Sequence, residues 1–133
     1  MRRLIVLALV SLVVSAFTVV GVAQGYHGIK GKSSVWVTQV IDNPATGCVT
    51  LKLDVKGWKF YPGQIGDSVN QWDGGHYHVY VNGQYYSAGA NGNRARVCGL
   101  ATGATYQMQV VLAYDDHSEA AARSQLVSAI LGG

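Results

Sequence analysis

Short strand-like runs separated by turn signals recur along the chain, and this rhythm limits the fold more than any other feature. The runs are Val35 to Ile41, Val49 to Val55, His76 to Val81, Arg94 to Cys98, Tyr106 to Tyr114 and Gln125 to Leu131. Asp42-Asn43-Pro44, Asn82-Gly83 and Asn91-Gly92-Asn93 punctuate them, and Asn82-Gly83 has the composition of a type I′ hairpin turn. Many short strands at this spacing predict an all-β, antiparallel β-sandwich. The segment SEAAARSQLVSAILGG admits two readings: an Ala-rich helix capped by Ser118, or a final strand over its second half. The strand is preferred, because the preceding run would otherwise lack a neighbour.

The first 23 residues stand outside this rhythm. Arg2 and Arg3 precede an apolar run from Leu4 to about Val14, followed by small residues ending Gly21-Val22-Ala23. This is the layout of a signal peptide, so 1–23 is expected to be removed and 24–133 to form one domain; an uncleaved anchor is the alternative. Export to the periplasm or the medium follows, as a periplasmic or secreted protein. The formal charge of +3 includes Arg2 and Arg3. Without them the balance is near neutral, which argues against a nucleic-acid partner. Two cysteines in an exported chain are most simply one disulfide, Cys48 to Cys98.

The segment GLATGATYQMQVVLAY resembles the approach to the sixth strand of fibronectin type III domains, with Leu100, Gly103 and Tyr106 in place and Thr102 where proline is usual. VKGWKFYPG, GHYHVYVNG, GLATGATY and LAYDDH together resemble small exported bacterial sandwich domains with a Gly-His-x-His-Val-Tyr-Val-Asn-Gly signature and a later Asp-His. The resemblance implies an immunoglobulin or fibronectin III-like sandwich in which Tyr106 is a tyrosine corner. That group has no settled activity, so the implication is about fold.

Alternate residues of a strand face opposite ways, so one inward residue assigns the rest. With Tyr106 inward, Met108, Val110, Leu112 and Tyr114 follow it, and Asp115 and His117 fall outside if the strand stays extended. Tyr77, Val79 and Val81 make the core face of the third run, leaving His76, His78 and Tyr80 outside. Cys48 and Cys98 also fall outside, at the start of the second run and the end of the fourth. Antiparallel pairing of those two runs places the disulfide within one sheet.

The same pairing of the third and fifth runs brings His76, His78, Asp115 and His117 to one end of one face. Three imidazoles and a carboxylate suit Cu²⁺ or Zn²⁺. The competing reading makes the histidines structural, hydrogen-bonded to Asp115 or Asp116. The long loop before His76 is expected to overhang this end, with Trp72 and Asp73 as a wall. His27 is expected in a tail. Trp72, Tyr80, Tyr85 and Tyr86 form the alternative site, an aromatic surface for a cell-envelope polysaccharide or protein. Nothing activates a serine, no cysteine is free and no separate general base is identifiable, so a non-catalytic module is expected.

Overall fold

The computed structural model describes residues 33–132, so the expected leader over 1–23 and His27 lie outside the described residues. Nine strands and a 3-10 turn fill the described part: β1 (Ser34–Asn43), β2 (Cys48–Lys56), β3 (Lys59–Phe60), the turn Pro62–Gln64, β4 (Gly74–Val81), β5 (Gln84–Gly89), β6 (Arg94–Val97), β7 (Thr105–Ala113), β8 (Glu119–Arg123) and β9 (Val127–Ile130). One sheet runs β1-β2-β6. The other is centred on β4 and β7, with β3 and β5 beside β4, and β8 and β9 beside β7. The pairs β2–β6 and β4–β7 are antiparallel, as the immunoglobulin-like order requires. The chain is therefore an immunoglobulin or fibronectin III-like sandwich. Among the described residues no helix is long and apolar enough to cross a membrane.

Alternation along the strands builds the core. Val49, Leu51 and Leu53 from β2 meet Tyr77 and Val79 from β4 and Met108, Val110 and Leu112 from β7, all buried. Ala95 and Val97 close the β6 side. Tyr106 lies partly in this core, and its hydroxyl accepts the Ala101 N–H at 2.8 Å, which ties the turn before β7 to the strand as a tyrosine corner does.

Cys48 and Cys98 are bonded to each other. They extend the β2–β6 ladder by one step beyond the pair Val49 and Val97, so the bridge joins neighbours of one sheet. Closing a loop of 50 residues stabilises the fold by about 4 kcal/mol on the chain-entropy account.

Three elements depart from the expected runs. β5 follows the Asn82-Gly83 turn and pairs back onto β4, with a bulge between Val79 and Tyr80. β3 pairs with the start of β4 in parallel. The Ala-rich Glu119–Arg123 stretch is a strand, because the open edge of β7 offers it backbone hydrogen bonds that outweigh alanine's helical preference. Ser124 breaks the run from there to β9: its hydroxyl accepts the Val110 N–H at 2.9 Å and donates to the Gln125 carbonyl at 2.9 Å.

Candidate metal centre

β4 opens on Gly74 and Gly75 because its neighbours come too close for any side chain. A Cβ on Gly74 would collide with the Lys59 carbonyl, and one on Gly75 with the Ala113 carbonyl. This tight start fixes the next residues. His76 lies opposite Ala113 and His78 opposite Val111, both pairs on the face away from the core. That face is not open to solvent: His76, His78, Val111 and Ala113 are all buried. The cover is the loop between β3 and β4, tied down by Gly66 N–H to the Asp115 carbonyl at 2.7 Å and by Asp116 N–H to Asn70 Oδ1 at 2.9 Å.

His117 reaches the site by a route other than an extended strand. β7 ends at Ala113, and the chain turns through residues 114–118, closed by Tyr114 N–H to the Ser118 carbonyl at 2.8 Å and His117 N–H to the Tyr114 carbonyl at 3.0 Å. Asp116 Oδ1 steadies the turn by accepting from Ser118 N–H and from its hydroxyl. At its end His117 has a φ of 66°, a left-handed conformation that folds the ring back over β4. Its ring then stacks on His78 at 5.4 Å between centroids and meets His76 edge-on at 4.7 Å.

Three ring nitrogens converge. His78 Nε2 is 3.0 Å from His76 Nε2 and 3.1 Å from His117 Nδ1, and a set of ligand atoms, one from each ring, lies within 4.8 Å of one another. The other nitrogen of His78, Nδ1, faces Glu119 Oε1 at 3.4 Å. Glu119 also accepts from the Tyr80 hydroxyl and from Arg123 Nη2, the latter at 2.7 Å. Glu119 is the site residue that sequence reasoning missed. Read as the start of a helix it points nowhere in particular; read as a strand residue opposite Ala113, it shares the face of His76 and His78. The strand reading of Glu119–Arg123 was the available signal.

Burial sets the charge of the cluster. Desolvation, reinforced by the neighbouring His78 and His117, pushes the pKa of His76 down to about 4. Burial also lowers that of His78, against the pull of Glu119. For Glu119 itself burial favours the neutral acid, but hydrogen bonds from Tyr80 and His78 and the charge of Arg123 prevail and hold it below the usual carboxyl range. At neutral pH the two β4 rings are uncharged, and a carboxylate stands behind one of them.

Asp115 does not join the histidines as expected. It is fully buried, and its Oδ2 accepts the Gln71 N–H at 3.2 Å, so its carboxylate serves the covering loop. The reason is the early end of β7: once the chain turns at Tyr114, alternation no longer governs Asp115. Asp73 likewise turns from the site to Lys59 and the Tyr61 hydroxyl, and Trp72 projects into solvent, so neither walls the cluster. The aromatic set is divided. Tyr85 meets His78 edge-on at 5.1 Å and pairs with Tyr80 at 6.1 Å, whereas the Tyr86 hydroxyl bonds both the N–H and the carbonyl of Cys98 on the opposite sheet.

No known protein family matches the chain, and no curated protein does either. Among solved structures it is similar to the Yersinia enterocolitica family 28 exopolygalacturonase, with 15% identity and a TM-score of 0.44 over 75% of this chain. The match spans 19% of that enzyme. It is also similar to a structure described as FN3tt mut, with 16% identity and a TM-score of 0.40 over 72% of this chain and 88% of that one.

Proposed function

We propose that this protein is an exported, non-catalytic module that binds one Cu²⁺ or Zn²⁺ ion through His76 Nε2, His78 Nε2 and His117 Nδ1. The observation that carries the reading is the crowding at His78 Nε2. A neutral imidazole nitrogen has one in-plane site, either a lone pair or a proton. With Nδ1–H directed at Glu119, His78 Nε2 has a single lone pair and two nitrogen neighbours, at 3.0 and 3.1 Å. Hydrogen bonding satisfies one of them at most. A metal ion at about 2.0–2.1 Å from each nitrogen puts tetrahedral ligands about 3.4 Å apart, a few tenths from these separations.

The rest of the site suits that role. Buried neutral rings present lone pairs without first losing a proton, and a carboxylate behind a ligating imidazole fixes its tautomer and raises its basicity. Glu119 does this for His78. Three protein ligands leave a fourth position for water or another donor, and Asp115 contributes by anchoring the loop over the cluster. Three imidazoles suit either ion, with Cu²⁺ the tighter by intrinsic affinity. The disulfide favours an oxidising compartment, in keeping with the leader-like N-terminus.

Calorimetric titration of the chelator-treated protein with Cu²⁺ and Zn²⁺ tests the proposal. One ion per chain is expected, bound about tenfold or more weakly in His78→Ala and in His117→Ala. Equal binding by both variants and the parent means that the histidines are structural.

A further inference from the structure

A second polar site lies away from the histidines, where the β5 edge meets β2 and β6. It is a cleft of about 740 Å³, lined among others by Asn43, Thr50, Tyr86, Asn91, Arg94 and Arg96. Register explains its charge. Thr50 pairs with Arg96 and Lys52 with Arg94, so these four residues share the outward face of the β1-β2-β6 sheet. Four ion pairs form among the described residues, and neither Arg94 nor Arg96 enters one. Arg96 Nη2 donates to Cys48 Sγ at 3.4 Å, a weak and uncharged acceptor. Asp54, further along this face, pairs with Lys56. Among the described residues no carboxylate neutralises these two guanidiniums of the cleft, a setting that favours oxyanions such as carboxylate or sulfate, held through paired N–H donors.

The remaining lining narrows the ligand. The Asn43 and Asn91 amides and the Thr50 hydroxyl both donate and accept, as neighbouring hydroxyls on a sugar do. Tyr86 is held rigidly by its two bonds to Cys98, at 3.0 and 2.8 Å, while its ring stays exposed, so stacking on it costs little further ordering. The volume falls in the range of about 300–1,000 Å³ typical of small-molecule sites, far more than one inorganic anion needs. We infer that this cleft binds an anionic saccharide, its carboxylate or sulfate on Arg94 and Arg96, its hydroxyls on Asn43, Thr50 and Asn91, and a sugar face against Tyr86.

The full chain is titrated with a uronic-acid tetrasaccharide, with the same tetrasaccharide after reduction of its carboxyl groups to alcohols, and with a sulfated tetrasaccharide. At least one charged tetrasaccharide should bind, one per chain, and more weakly as salt rises; whichever binds tighter identifies the acidic group. The reduced sugar and the Arg94→Gln/Arg96→Gln variant should each lose about tenfold or more in affinity, while His78→Ala binds as the parent does. In the parent, amide signals of Thr50, Arg94 and Arg96 should shift on binding and those of His76 and His78 should not, which holds whether or not the double variant folds. The inference is overturned if neither charged sugar binds, if the reduced sugar binds equally, if inorganic sulfate or an acidic peptide binds as tightly, or if the shifts fall elsewhere.

Discussion

The outer faces of the two sheets follow the same alternation and end in opposite surroundings. On β1-β2-β6, Trp36, Arg94 and Arg96 point away from the core and stand in solvent. On the β4–β7 sheet, His76, His78, Val111 and Ala113 also point away from the core and are buried. Strand parity fixes the direction of a side chain. Its exposure depends on what lies over the face, here the loop between β3 and β4 and the turn at 114–118. The covered face can hold neutral imidazoles close together, and the open one holds two guanidiniums that form no ion pair among the described residues.

The largest effect that separates the two faces comes from the disulfide. The Cys48→Ala/Cys98→Ala variant should lose about 4 kcal/mol in chemical denaturation, yet still bind one metal ion per chain, because the bridge sits on the other sheet. Loss of metal binding in a variant that remains folded would show that the faces are coupled.

Acid acts on the covered face. The folded-state pKa of His76 is lowered to about 4, whereas in the unfolded chain it returns to about 6.5. Below that value the unfolded state takes up a proton that the folded state refuses. The contribution of His76 to the stability of the metal-free protein is therefore flat above about pH 6.5 and falls between there and about pH 4, by an amount on the order of 3 kcal/mol. Denaturation midpoints across this range check the sign, and His76→Gln should flatten the slope.

Directions were legible in the sequence; cover and turns were not. Tyr106, Met108, Val110 and Leu112 face inward as alternation requires, and His76 and His78 face outward. Two cysteines at matching ends of paired runs located the disulfide. His117 and Asp115 were placed by carrying the same alternation past Ala113, where the backbone leaves the strand. A left-handed residue then brought His117 to the site by another path, and the loop took Asp115. Glu119 was hidden because an Ala-rich stretch carries a helical signal that sheet pairing overrides. Long-range pairing decided each of these positions, and local propensity does not encode it.

Smaller effects sharpen the picture inside the covered face. Glu119→Gln should lower metal affinity by about 10- to 100-fold while keeping the stoichiometry. An unchanged affinity would make Glu119 a partner of Arg123 and Tyr80 alone. His117→Gly should shift the stability of the metal-free protein by no more than about 0.5 kcal/mol, since relief of the left-handed backbone offsets the freedom gained by the unfolded chain. The same variant should lose metal binding. A destabilisation of about 2 kcal/mol or more would mean that the ring is packed for structure.

The central claim names three nitrogens, and nitrogen-detected NMR of the imidazole rings can address each one. On titration of the metal-free, ¹⁵N-labelled protein with Zn²⁺, the account predicts that His76 Nε2, His78 Nε2 and His117 Nδ1 change together and saturate at one ion per chain, with His78 Nδ1 still protonated toward Glu119. Ring nitrogens that keep their metal-free shifts at saturating Zn²⁺, or a response confined to one exposed ring, would contradict it.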